Sequence, residues 1–206
     1  MPATILEPEA PAPAAPTPDP EPTPGRACKL PIAISGEFVA ETLRPYRANA
    51  RYLRSAEITQ VRDPERPAKG APMVTASGRF AIPESCYIDD TGHFNAVEFN
   101  ICYNQLAYVM FGKCFETRVV PKLRFLTLPQ YRQHQLQSCF IISLESRFLQ
   151  PLDGREFHGE LVLDRLSWAG GVLFCFTSIA FGDAGGIKAH GQVVLAFNPP
   201  AGVTRH

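Results

Sequence analysis

The sequence has no excess charge of either sign, no long apolar run and no paired-cysteine motif, and each absence removes a class of protein. Twenty Lys and Arg balance twenty Asp and Glu across 206 residues, a formal net charge of zero. Such a chain presents no global field to nucleic acid or to an anionic membrane surface. No apolar stretch approaches the roughly 18–20 residues needed to span a bilayer, and the opening does not read as a signal peptide. The six cysteines (Cys28, Cys86, Cys102, Cys114, Cys139 and Cys175) are scattered without a C-x-x-C pair. That fits neither a zinc knuckle nor a small disulfide scaffold. Reduced, mostly buried thiols in a cytoplasmic protein are the expected state. His158, His190 and His206 show no metal-ligand spacing, and no P-loop or G-x-G-x-x-G fingerprint is present. Ser138 lacks the G-x-S-x-G setting of a nucleophile. No metal and no cofactor is expected.

What is present is an ordinary apolar load with one unusual stretch. Hydrophobic residues make up 45% and charged residues 19%, enough to bury one sizeable core. Nine of the 20 prolines fall in the first 26 residues. Residues 1–29 are therefore expected to be an extended, disordered spacer, followed by a single domain over 30–200 and a tail at 201–206. "SGEFVAETLRPY" (35–46) reads as a short helix capped by Ser35 and broken by Pro45. "RYLRSAEITQV" and "MVTASGRFAI" read as strands either side of a Pro/Gly loop. The one long helical segment, about 94–112, is apolar almost all round, which places it inside something. "TLPQYRQHQLQS" reads as a second short helix. Four β-rich runs follow, broken by "QPLDGR", "AGG" and "DAGG" at hairpin-like spacing. About six antiparallel strands round one buried helix is an α+β layout. One curved sheet wrapped on a central helix describes a hotdog fold.

The unusual stretch is "DDTGHFNAVEFNICYNQLAY" (89–108), with one His and three Asn among apolar residues. A buried amide or imidazole without a partner costs roughly 1–3 kcal/mol. The four groups are therefore either satisfied structural bonds or a site. Thr91 reads as an N-cap and Gly92 frees the backbone. The open N–H groups of that turn would form an oxyanion site. His93 can exchange protons near neutral pH; Asn95, Asn100 and Asn104 offer amides, and Tyr87 lies just upstream. Asn100 and Asn104 share a helix face, whereas Asn95 and Asn104 stand about half a turn out of phase. If both serve one site, Asn95 lies in the turn leading into the helix, or the site is shared between protomers. Arg44, Arg47, Arg51 and Arg54 are spaced 3, 4 and 3, although Pro45 spoils a continuous helix. They are either solvated surface or a basic patch for the phosphates of CoA or the acidic face of an acyl carrier protein.

The string "CYIDDTGHFNAVEFNICYNQLAY", flanked by "RPYRANARYL", "HQLQS", "SRFLQPL" and "VLAFN", resembles the FcoT family of hotdog proteins over roughly residues 33–199. That family is known as long-chain fatty acyl-CoA thioesterases. Some members are assigned as (2E)-enoyl-acyl-carrier-protein glycyltransferases of isonitrile lipopeptide biosynthesis. The resemblance implies site roles for Tyr46 of "RPY", Tyr87 of "CYI", Asn95 of "HFN" and Asn104 of "YNQ". It also implies a homodimer, or a higher even oligomer, with sites between protomers. The base role given to His93 comes from chemistry instead.

The implied reaction is a Michael addition, of the carbon–nitrogen lyase type, of glycine to the β carbon of an enoyl chain on acyl carrier protein. It would yield a 3-[(carboxymethyl)amino] fatty acyl product, with thioester hydrolysis at the same site. A plain acyl-CoA or acyl-ACP thioesterase is the alternative, and a non-catalytic acyl-carrier-binding hotdog is a third. Addition and hydrolysis both polarise a thioester carbonyl, so both need donors where negative charge develops. His93, Asn95, Tyr87 and Asn104 are the catalytic candidates. Tyr46, Gly92, Asn100, Arg47 and Arg51 are the substrate-binding ones. Arg47, Arg51, Lys113 or a tyrosine hydroxyl would take the glycine carboxylate.

Overall fold

The computed structural model describes residues 29–63, 70–89 and 93–200. All but the last residue of the expected arm, the tail at 201–206, and Thr91 and Gly92 of the polar stretch lie outside the described residues.

The chain order is β1 (Ile32–Ile34), α1 (Gly36–Thr42), β2 (Leu53–Val61), β3 (Val74–Phe80), α2 (Ala96–Thr117), α3 (Leu128–Ser138), β4 (Cys139–Phe148), β5 (Phe157–Ala169), β6 (Val172–Asp183) and β7 (Gly186–Phe197). The strands form one antiparallel sheet in the order β1-β2-β3-β5-β6-β7-β4. About six strands are expected from the pattern, and the described residues hold seven. The extra one, β1, is three residues long, too short for alternation to announce it. It is held by pairing Ile32 with Ile58 and Ile34 with Ala56. The turn between β5 and β6 uses Gly170 and Gly171 at φ 54° and 91°, a region closed to most side chains.

α2 is the hydrophobic centre of the domain. Phe99, Tyr103, Leu106, Met110 and Phe111 are fully buried, and the helix packs across β2, β3 and β5. Full burial of one such side chain contributes about 1.5–3 kcal/mol. The approach of helix to sheet is close enough that a Cβ on Gly191 of β7 would sit 2.8 Å from the Phe99 ring of α2. Gln105 and Tyr103 in the middle of the helix have their polar groups satisfied. The Gln105 carbonyl accepts from the Tyr52 and Leu53 N–H groups at 2.9 Å each, and its amide donates to Ala50 O at 2.5 Å. The Tyr103 hydroxyl lies 2.8 Å from Thr177 Oγ1.

Helix boundaries follow the caps. Ser35 caps α1, its Oγ accepting from Phe38 N at 3.2 Å, as expected. α2 runs past the expected end at 112 and stops at Arg118, which takes the left-handed φ of 58°. The Arg118 guanidinium holds that turn by donating to Leu126 O and Arg124 O at 2.7 and 2.8 Å. The start of α2 is a correction: its N-cap is Asn95, not Thr91. Phe94, immediately before it, is buried in a cluster with Phe99, Phe157 and Phe181, with ring centroids 5.1–6.2 Å apart. Its N–H donates to Leu152 O at 3.0 Å. A chain pinned there cannot enter the helix earlier.

Candidate active site

Among the described residues, Asn95 is tied at the mouth of α2 by these hydrogen bonds. Its Oδ1 accepts from the N–H groups of Val97 at 2.9 Å and Glu98 at 3.4 Å, and from the Tyr87 hydroxyl at 2.9 Å. Its own N–H donates to Glu98 Oε2 at 3.1 Å, completing a capping box. Asn95 Oδ1 thus takes the N–H groups of Val97 and Glu98, while Gly92, whose turn N–H is the expected oxyanion donor, lies outside the described residues. The cap orients the amide. With Oδ1 turned to the helix, Nδ2 lies on the opposite side of the carboxamide, and Tyr87 is fixed to the same group.

A cavity of about 980 Å³ opens beside this cap. Tyr87, His93, Cys86 and Glu98 line it from the chain leading into α2 and the helix's first turn, and Asp153 and Arg155 from the segment between β4 and β5. His93 is exposed to it and Glu98 is almost fully buried, at 4% exposure. Arg155 is the one guanidinium among the described lining residues. It is held by Asp153, with its Nε 2.9 Å from both carboxylate oxygens, and this contact holds the Asp153 carboxyl down at about 2.

The remaining candidates form a second group. Asn104 Nδ2 donates to Asn100 Oδ1 at 3.1 Å, on a half-buried stripe of α2. The Tyr46 ring packs edge-on to Tyr108, with centroids 6.4 Å apart. Burial, then the neighbouring Tyr108, pushes the Tyr46 phenol well above its ordinary range, and burial pushes Tyr108 up to about 12. Both are neutral donors at physiological pH. Nine residues separate Asn95 from Asn104, a rise of about 13 Å and half a turn. One protomer therefore carries two half-sets on opposite sides of α2.

The arginines do not share a helical face. Arg51 donates from Nε to Tyr46 O at 3.0 Å and from Nη2 to Arg44 O at 3.2 Å, so it braces the segment that presents Tyr46. Arg54 lies in β2 and donates to Ala81 O, while Arg47 is exposed. Lys113 is ion-paired with Glu116 at 2.5 Å and lies over the Phe38 ring. It sits about 27 Å along the helix axis from Asn95, remote from the cavity.

Sequence inspection missed Glu98 and Arg155. "QPLDGR" announces a turn and nothing of its guanidinium's neighbours. Glu98 has a legible signal in the N-x-x-E spacing of a capping box, hidden by placing the cap four residues too early. Among the described residues no group of three or more His, Cys, Asp or Glu is placed to hold a metal ion. Among the described residues no helix is long and apolar enough to cross a membrane.

A single antiparallel sheet packed on one long helix, with a polar cavity at the helix mouth, defines a hotdog protein. Residues 41–197 match the model of the FcoT-like thioesterase domain, and the chain belongs to that family. It is 37% identical over 164 residues to a (2E)-enoyl-[ACP] glycyltransferase from Streptomyces coeruleorubidus, covering 77% of this chain and 94% of that one. A protein of the same name from Mycobacterium marinum is 38% identical over 170 residues, covering 80% and 86%. Among solved structures, a sigma28-regulated virulence protein from Campylobacter jejuni matches with a TM-score of 0.44 and 12% identity, over 79% of this chain and 97% of that one.

Proposed function

We propose that this protein adds glycine to the β carbon of a (2E)-enoyl chain carried as a thioester on acyl carrier protein. The observation that carries the proposal is the cavity at the mouth of α2, where an exposed histidine stands beside a tyrosine–asparagine pair locked to a helix cap. The names of relatives at 37 and 38% identity supply the substrate class.

In the addition, glycine's ammonium gives a proton to His93 and the freed amine attacks C3. The C3–N bond forms, and the C2=C3 electron pair moves toward the thioester carbonyl as an enolate. The Asn95 Nδ2 group is the donor assigned to that charge, and Tyr87, whose hydroxyl proton goes to Asn95 Oδ1, holds the carboxamide in place. The proton returns to C2 from His93, so no proton is gained or lost overall. Water attacking C1 would use the same polarised carbonyl, and the family's thioesterase description supports that hydrolytic capacity. The free state of all five described cysteines supports a cytoplasmic location.

Incubation with an enoyl-carrier protein and isotopically labelled glycine, read by mass spectrometry, should give a carrier-bound product heavier by one glycine. Release of free acid alone, with or without glycine, would favour the thioesterase alternative.

The two half-sets of polar residues support a homodimer whose sites combine Tyr87, His93 and Asn95 of one protomer with Tyr46, Asn100 and Asn104 of the other. β4 is a sheet edge carrying Phe140, Ile142 and Phe148 at 48, 54 and 43% exposure. It lies alongside α2, with the Phe148 and Phe99 rings 5.8 Å apart. An apolar, unpaired edge strand is a ready template for a second copy. Sedimentation should give a dimer or an even multiple, and Ile142→Lys should yield an inactive monomer. A wild-type monomer with full activity would remove the shared site.

A further inference from the structure

Glu98 places an acidic side chain where burial is costly, with no oppositely charged partner among the described residues. It is 4% exposed, and no Lys or Arg is ion-paired with it. Among the described residues, the carboxylate's one hydrogen bond is from the Asn95 N–H to Oε2. It acts electrostatically on Tyr52, from the segment before β2, and on Cys102, one turn on in α2, neither of them cationic. Removing a carboxylate from water costs several kcal/mol unless a cation or donors compensate. A neutral Gln at this position would complete the same capping box. The helix N-terminus favours a negative charge there by at most about 2 kcal/mol, less than the several kcal/mol of burial, so the cap alone does not account for an acid at this position.

Its surroundings indicate the missing partner. Glu98 lines the cavity together with Glu84, Asp89, Asp153 and Asp183, against which the described lining offers Arg155 and His93. A cavity with that balance concentrates cations and repels anions. We propose that Glu98 is the seat for the ammonium group of the amine co-substrate, and that it selects an amino acid over an uncharged nucleophile. The proposal rests on the glycine-adding function given above and assigns the part of the site that receives glycine's nitrogen. The Arg155 guanidinium on the same cavity supplies charge of the opposite sign for the zwitterion's carboxylate.

A carboxylate that holds an ammonium also favours its protonated form. Seat and base must then be different groups. Glu98 gathers the ammonium and His93 removes its proton, which divides their kinetic signatures. Loss of the seat weakens glycine binding without slowing the bound complex. Loss of the base does the reverse.

Glu98→Gln tests this, because it preserves the cap acceptor and deletes the charge. The half-saturating glycine concentration should rise roughly 10- to 100-fold, the range of a charge-assisted hydrogen bond. The maximal rate and the KM for enoyl-carrier protein should stay near wild type, and the melting temperature should hold or rise, since a buried charge is removed and the cap is kept. Binding of glycine against glycolate, which replaces the ammonium by a hydroxyl, gives a readout that needs no turnover. Wild type should prefer glycine, and Glu98→Gln should lose that preference. Equal binding of the two by wild type, or an unchanged preference in the variant, overturns the seat. Preference lost in the variant, in a protein that makes no glycine adduct, would leave the seat standing and remove the addition reaction instead.

Discussion

Replacing His93 by alanine should lower the rate of glycine addition by roughly 10²–10⁴, the usual contribution of a positioned general base. His93 is exposed on the cavity, so the substitution should change stability by no more than about 0.5 kcal/mol. The loss should also depend on pH in a defined direction. Glycine is mostly ammonium at neutral pH, and its free amine increases as pH rises toward the amine's own pKa. A variant without a base therefore recovers as pH rises, while the wild type gains less. Single-turnover rates on carrier-bound enoyl substrate across pH 7–10, with thermal unfolding measured in parallel, test both statements. A folded variant with no recovery would remove His93 as the base and leave the carbonyl-polarising donors in place.

Asn95 should show the second large effect, and its cap geometry decides which variant to make. Asn95→Asp keeps an oxygen for the N–H groups of Val97 and Glu98 and places negative charge at a helix N-terminus, where it is favoured. It deletes the amide donor. The expected result is an unchanged melting temperature with a rate loss on the order of 10²–10³, as for an oxyanion donor. Asn95→Ala removes the cap as well and should cost a further 0.5–2 kcal/mol of stability, about 1 kcal/mol being typical. Full activity in Asn95→Asp would reduce Asn95 to a structural cap. The two explanations offered by the sequence for this residue, satisfied bond or site, are thus separable by one atom.

The legible parts of this protein are those carried by local pattern. Alternation places β2 through β7 almost to the residue, because inward and outward side chains must differ along a strand. An apolar surface all round marks about 94–112 as a buried helix, since no polar face remains for water; the helix found spans Ala96–Thr117. The phase of Asn95 against Asn104 follows from helical geometry alone, and the structure keeps them in two groups as that phase requires. β1 stayed hidden because three residues carry no period.

The starting residue of α2 was not local information. Thr91 and Asn95 are both good caps by residue type. The choice between them is made by Phe94, which is pinned by rings from β5 and β6 and by a bond to Leu152. That four-residue difference decides the chemistry. It fills the helix mouth with Asn95 Oδ1, ties Tyr87 to the same amide, and puts Glu98 at the third helical position, facing the cavity. The sequence by itself determined the sheet, the central helix and which polar residues could form a site. Only the tertiary structure decided which backbone donors were already taken and which carboxylate was buried, because those depend on contacts between segments more than fifty residues apart.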